Sequence, residues 1–239
     1  MKSNKKIIAA NWKMNGSEEL LKEFSQLTRA KHNEIIICPP FTLLDSAKSL
    51  LPDFIKIGAQ NCSEKNNGPF TGEISASMLK EKSVSHVLIG HSERRTLFKE
   101  TNDMIFKKVE AAIKSKLIPI VCIGEKLSEK KANKTLQVLD NQINGSLAKI
   151  DPHEQVIVAY EPVWAIGTGL TPDENEIKET HLYIKTKLNQ HFDADIPILY
   201  GGSANSENCS QIISIDNVGG LLVGGASLKT NDFKAICNC

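Results

Sequence analysis

The stretch VIVAYEPVWAIGTG, Val156 to Gly169, begins as a run of apolar residues, ends that run on one carboxylate, Glu161, and continues through a proline and a tryptophan to Gly-Thr-Gly. Near-continuous apolar runs suit strands buried on both faces, as the strands of parallel sheets are. Similar runs recur at KKIIAA (5–10), EIIICP (34–39), IKIGA (55–59), HVLIG (86–90), IPIVCIG (118–124), IPILYG (196–201) and GLLVG (220–224), so that with VIVAY (156–160) there are eight. Helical signals lie between them. In 99–116, Ile105, Val109, Ala112 and Ile113 gather on one face while lysines and glutamates take the other. Thr171-Pro172-Asp173-Glu174 has the form of an N-cap, a proline at the first helical position and the acid of a capping box. The helix it starts sets Ile177, Ile184 and Leu188 on one stripe.

Eight such alternations, without a Pro/Gly/Ser linker, predict an α/β fold: one eight-fold β/α barrel domain over 1–239, close to the typical barrel size of about 250 residues. The competing arrangement is a doubly wound open sheet. That fold normally carries G-x-G-x-x-G or a Walker loop, and neither occurs in this chain.

Composition narrows the function. The 239 residues are 41% hydrophobic and 24% charged, with Lys+Arg 29 against Asp+Glu 28 for a formal net charge of +1. No basic cluster suits nucleic acid or an anionic membrane, so neither is an expected partner. No apolar run approaches the roughly 18 residues of a membrane span, and the first apolar stretch is short for a signal peptide. The expectation is a cytoplasmic protein. Six cysteines, at 38, 62, 122, 209, 237 and 239, lack paired zinc-site spacing. Reduced thiols and no metal site are therefore expected, with adventitious oxidation conceivable in the Cys237–Cys239 tail.

In β/α barrels the chemistry sits at the carboxyl ends of the strands. Polar residues cluster there: Asn11 and Lys13 after the first run, Gln60 and Asn61 after the third, His91 and Glu93 after the fourth, Glu125 after the fifth and Glu161 ending the sixth. Glycine-bearing loops, Gly167-Thr168-Gly169, Gly201-Gly202-Ser203 and Gly224-Gly225, follow the last three and offer bare backbone N–H groups to a phosphate. One acid, one imidazole and one ammonium remain. Without a hydroxyl or thiol nucleophile, that trio suits proton abstraction beside a carbonyl. GHSER (90–94) imitates a nucleophile elbow, but Arg94 stands where the second glycine must be.

The words NWKMNG (11–16), GAQN (58–61), FTGEIS (70–75), IGHSERR (89–95), CIGE (122–125), AYEPVWAIGTG (159–169), YGGS (200–203) and LLVGGASL (221–228) together resemble the triosephosphate isomerase family, over the whole chain and in the family's order. The resemblance implies interconversion of dihydroxyacetone phosphate and D-glyceraldehyde 3-phosphate through an enediolate, a step of glycolysis and gluconeogenesis, with no cofactor and no metal. The family is itself a standard example of neutral-histidine catalysis and of lid closure, so these roles come with the resemblance. By matching position, Glu161 is the base, His91 the neutral electrophile, Lys13 the charge stabiliser and Asn11 a donor to substrate oxygens. Glu93 supports Lys13 and His91. The backbone of Gly167, Ser203, Gly224 and Gly225 holds the phosphate, and Pro162, Val163, Trp164, Ala165, Ile166, Gly167 and Thr168 form a closing lid.

The family's homodimer implies a partner-facing loop from Cys62 to Gly72, with Thr71, Gly72 and Glu73 at or beside its tip. The chain departs from the family's usual pattern at Leu170 and in the early Pro172, which touches the lid's second hinge. Gly219 replaces a common aspartate, and the segment from Trp12 to Gln60 is short, implying trimmed outer helices. Two other classes remain open: another isomerase or lyase on a phosphate-binding barrel, and a catalytically silent relative serving as a phosphate-ligand or surface binding protein.

Overall fold

The computed structural model describes residues 5–28, 33–167 and 170–239. Its strands are β1 (Ile7–Asn11), β2 (Glu34–Cys38), β3 (Ile55–Ala59), β4 (His86–Ile89), β5 (Ile118–Ile123), β6 (Ile157–Tyr160), β7 (Ile198–Tyr200) and β8 (Gly220–Val223). Every neighbour pairs in parallel, and β8 returns to β1, so the sheet closes on itself. Closure removes both sheet edges. This is the expected barrel, and each apolar run quoted above holds one strand, β1 alone passing the end of its run by one residue, to Asn11.

Alternation along each strand divides the core in two. Ile7 and Ala9, Ile36 and Cys38, and Ile157 and Ala159 join one cluster with Leu88, Leu199 and Leu222, filling the barrel. Their neighbours Ile8, Ala10, Ile35, Ile37 and Val158 belong to a second cluster shared with the helices.

The helices are α1 (Glu18–Phe24), α2 (Leu44–Leu50), α3 (Ala76–Glu81), α4 (Ser92–Leu97), α5 (Asn102–Lys114), α6 (Leu127–Lys131), α7 (Thr135–Ser146), α8 (Glu174–Leu188), α9 (Cys209–Ser214) and α10 (Thr230–Cys237). In α5, Ile105, Val109 and Ala112 are buried as the periodicity requires. The seven-residue α1 and α2 account for the short segment between β1 and β3. Phe24 stacks on Phe233 at 5.4 Å and meets the edge of Trp12 at 5.2 Å, joining α1 to α10 across the closure. No described helix is long and apolar enough to cross a membrane.

Two local expectations change. The N-cap of α8 is Asp173, whose carboxylate accepts from the Glu176 amide at 2.8 Å, instead of Thr171. A charged oxygen satisfies the exposed amides at the positive helix end better than a hydroxyl two residues earlier. Ile177, Ile184 and Leu188 are buried on one side of that helix as expected. The cysteines are not all free thiols either. Cys209 and Cys239 form a disulfide with Cα atoms 6.1 Å apart, while Cys38, Cys62, Cys122 and Cys237 are free and buried.

Candidate active site

Asn11 is the last residue of β1 and is buried, and its Oδ1 accepts from the Lys13 amide at 3.0 Å. That contact bends the chain so that Lys13 takes φ 52°, a left-handed conformation uncommon away from glycine. Gln60, just past β3, donates to the carbonyls of Lys13 at 2.8 Å and Cys38 at 2.9 Å, bracing the strained turn. So placed, the Lys13 ammonium lies 2.6 Å from Glu93 Oε1.

His91 caps α4. Its Nδ1 accepts from the Glu93 amide at 3.2 Å, which puts the proton of a neutral ring on Nε2. Nε2 faces Glu161 Oε1 at 2.9 Å, and the Ser92 amide donates to Glu161 Oε2 at 3.0 Å. Glu161 lies one residue past β6 instead of ending it, held by its own amide on the Ile123 carbonyl at 2.7 Å.

Its position depends on two glycines. A methyl group on Gly124 would come 1.7 Å from the Glu161 carbonyl oxygen, and one on Gly201 would come 2.9 Å from Glu161 Cγ. The second glycine leaves room for the carboxylate arm.

Electrostatics couple the pair. Burial alone would raise the Glu161 carboxyl, but His91, the Ser92 amide and Lys13 outweigh it and hold Glu161 below the usual carboxylate range. Burial disfavours the His91 cation, yet the adjacent Glu161, with Glu93, raises the imidazole above its ordinary value. Lys13 works against that rise.

These groups open on a cavity of about 270 Å³ whose lining includes Gly167, Ser203, Gly224 and Gly225 as well as Asn11, Lys13, His91 and Glu161. A methyl group on Gly225 or Gly167 would meet nothing within 4 Å, so backbone there stands open to the cavity. A larger cleft of about 720 Å³ lies on the outer wall by α3 and α5. Three of its lysines are paired with carboxylates, Lys65 with Glu64, Lys107 with Asp103 and Lys114 with Glu110, and the fourth, Lys80, donates to the Lys116 carbonyl at 3.0 Å. The smaller cavity at the mouth instead has the Glu161 carboxylate set against the His91 imidazole in its wall.

The segment after Glu161 forms a 3-10 turn over Val163–Ala165. The Trp164 indole donates to Glu125 Oε1 at 2.7 Å, and Lys130 lies over its ring, 3.4 Å from the centroid. Glu125 is buried and also accepts from the Tyr160 hydroxyl at 3.3 and 3.2 Å; burial raises its carboxyl despite these donors. Ser203 Oγ donates to the Ala165 carbonyl at 2.5 Å, tying the loop after β7 to this segment. Ile166 and Gly167 line the cavity, whereas Thr168 lies outside the described residues.

The sequence thus singled out residues that the barrel gathers at one mouth, while Thr71, Gly72 and Glu73 are exposed on the loop after β3. It assigned no role to Gln60, Gly124 or the Ser92 amide, and it read Gly201 as part of a phosphate loop, not as the space beside Glu161. The position of Gln60 after a strand was the available signal; the others become visible only through distances.

The family model for triosephosphate isomerase matches residues 6–239. The triosephosphate isomerase of Bartonella henselae is 44% identical over 241 residues, 97% of this chain and 95% of that protein. That of Idiomarina loihiensis is 43% identical over 246 residues, covering 98% and 97%. The crystal structure of the Bartonella henselae enzyme superposes with a TM-score of 0.90 at 42% identity, covering 98% of each chain. With a closed parallel barrel, an acid and an imidazole facing each other at its mouth and relatives matching over nearly the full length, this chain belongs to the triosephosphate isomerase family.

Proposed function

We propose how this barrel performs the isomerisation that its family membership assigns to it, between dihydroxyacetone phosphate and D-glyceraldehyde 3-phosphate. Glu161 moves the proton between C1 and C2, and His91 donates from Nε2 to the carbonyl oxygen. Lys13 and Asn11 stabilise the enediolate oxygens, with Glu93 positioning Lys13. The amides of Gly167, Ser203, Gly224 and Gly225 take the phosphate. The observation that carries the assignment is the buried Glu161 carboxylate set 2.9 Å from His91 Nε2 beside a cavity with glycine backbone in its wall.

The same geometry supports a change of state on binding. With both oxygens engaged by His91 and Ser92, Glu161 is a parked base. Moving it toward substrate removes the His91 and Ser92 contacts that depress its pKa most and leaves burial opposed by Lys13, which strengthens the base. His91 then loses its main anionic partner, and burial with Lys13 keeps the ring neutral. Closure of Pro162 to Thr168 over the cavity would exclude water and protect the enediolate from losing phosphate.

A coupled assay tests this. D-glyceraldehyde 3-phosphate is supplied, and glycerol-3-phosphate dehydrogenase with NADH reports the dihydroxyacetone phosphate formed. Fast NADH loss that collapses in Glu161→Gln supports the assignment. A folded, inactive wild type would instead indicate a silent phosphate-binding relative.

The proposal extends to a single domain over 1–239, a cytoplasmic address and a homodimer. Supporting the dimer, Phe70 on the loop after β3 is 42% exposed, Met14 after β1 is 96% exposed, and Leu97 and Phe98 after β4 are 70% and 62% exposed, a set of apolar side chains placed where a partner could cover them. Light scattering that returns the 26.3 kDa chain mass would refute it.

A further inference from the structure

The last residue of the chain is covalently joined to the region that carries Ser203. Cys239 pairs with Cys209, the first residue of α9, 30 positions earlier. Next to Cys209, the Asn208 amide side chain donates to the Ser203 carbonyl at 3.1 Å and accepts from the Asn205 amide at 2.9 Å. Asn205 Oδ1 in turn takes the amides of Glu207 and Asn208, at 2.8 and 3.1 Å. Ser203 Oγ then reaches the Ala165 carbonyl of the lid segment. A continuous set of contacts runs from the C-terminal residue through the β7–α9 loop to the lid. The tail is also held by Asn33, whose Nδ2 donates to the Cys237 and Cys239 carbonyls at 3.1 and 3.4 Å, by burial of Cys237 in the core and by the Cys239 amide on the Ile236 carbonyl at 3.2 Å.

Disulfides are uncommon where glutathione keeps thiols reduced, so in the proposed compartment a bond between this pair stands against a reducing thiol pool. We propose that Cys209 and Cys239 form a reversible redox site that tightens the phosphate-binding loop when oxidised and loosens it when reduced. This rests on the assignment of Ser203 to the phosphate.

Cys209 is 1% exposed and Cys239 is half-buried, so Cys239 meets the reagent first. Its thiolate attacks a low-molecular-weight disulfide, forming a mixed disulfide and releasing one small thiolate. The Cys209 thiolate then attacks the Cys239 sulfur and releases the second. Two protein thiols lose two protons and two electrons, and the small disulfide takes them up as two thiols. A dithiol reverses the sequence.

The test uses the full chain treated with glutathione disulfide or with dithiothreitol. The oxidised protein is expected to be lighter by about 2 Da and to yield one peptide pair linked through Cys209 and Cys239. Reduction is expected to lower Tm by roughly 5–10 °C and to raise KM for D-glyceraldehyde 3-phosphate about threefold, with kcat changed less. Cys239→Ser should show reduced behaviour in either buffer. Cys237→Ser should keep the response, since that buried thiol, pushed up to about 12, forms no bridge.

Failure to find the linked peptide, or equal KM in the two states with the link present, overturns the proposal. Ser203→Pro removes the amide assigned to the phosphate, whereas Ser203→Ala keeps it and removes only the hydroxyl bonded to Ala165. If the proline variant, folded by circular dichroism, raises KM beyond the alanine variant in both redox states, the phosphate role stands whatever the cysteines do. If it raises KM no further than the alanine variant, that role falls and the proposed coupling falls with it, while mass and Tm still report the bridge.

Discussion

Glu161 Oε1 lies 2.9 Å from His91 Nε2 while Glu161 Oε2 takes the Ser92 amide at 3.0 Å, so the base and the electrophile of the proposed reaction hold each other in a resting arrangement. Each sets the other's protonation, which is why neither residue's chemistry follows from its own burial alone.

Reach matters for a base that must leave one set of partners for another. Glu161→Asp withdraws the carboxylate by about one methylene, and misplacement by roughly 1 Å costs about 100-fold in rate. The expected result in the coupled assay is a fall of that size in kcat with KM little changed. Unaltered turnover would remove Glu161 from the base position.

Lys13→Met removes the ammonium but keeps chain length, in a turn that Gln60 still braces from the backbone side. Glu93, left without its partner, is half-exposed and solvated by water. The protein should fold normally by circular dichroism yet lose about 100- to 1000-fold in kcat/KM, the size seen when one preorganised electrostatic stabiliser is deleted.

The two glycines beside Glu161 should fail differently. In Gly124→Ala the new methyl meets backbone at 1.7 Å, which no rotamer relieves, so little folded protein is expected on gel filtration. In Gly201→Ala the methyl meets the Glu161 side chain at Cγ, 2.9 Å away, which can give by rotation, so folding survives and kcat falls about 100-fold. A fully active Gly201→Ala would contradict the need for that space.

Two buried histidines outside the mouth predict acid sensitivity. Burial lowers His86 and His181 from 6.5 to about 4. The unfolded chain therefore binds protons before the folded chain does, so their stabilising contribution is complete above about pH 6.5 and is lost as pH falls toward 4. Each contributes about 3 kcal/mol over that window. Urea midpoints near pH 7.5 and pH 5 should show the loss, and His181→Phe, set between Tyr160 and Tyr200, should reduce it. An unchanged slope in that variant would count against His181.

Much of the barrel was legible because a strand buried on both faces must be apolar throughout, and eight such runs leave few ways to bury them all. The boundaries were less so. Glu161 fell one residue beyond β6, because strand ends depend on which amide meets which carbonyl on the neighbouring strand. The cap of α8 is Asp173, two residues past the expected Thr171, because which side-chain oxygen reaches the first free amides depends on where the helical turn begins.

Residue types alone determined that an acid, an imidazole and an ammonium stand at strand ends with glycine loops opposite, since composition and order are properties of the chain. Only the tertiary structure decided that Glu161 is parked on His91 and Ser92, that Lys13 is turned left-handed against Glu93, and that Cys209 meets Cys239. Those relationships are distances of a few ångströms between residues up to 80 positions apart, and no local pattern encodes a distance that barrel closure alone creates.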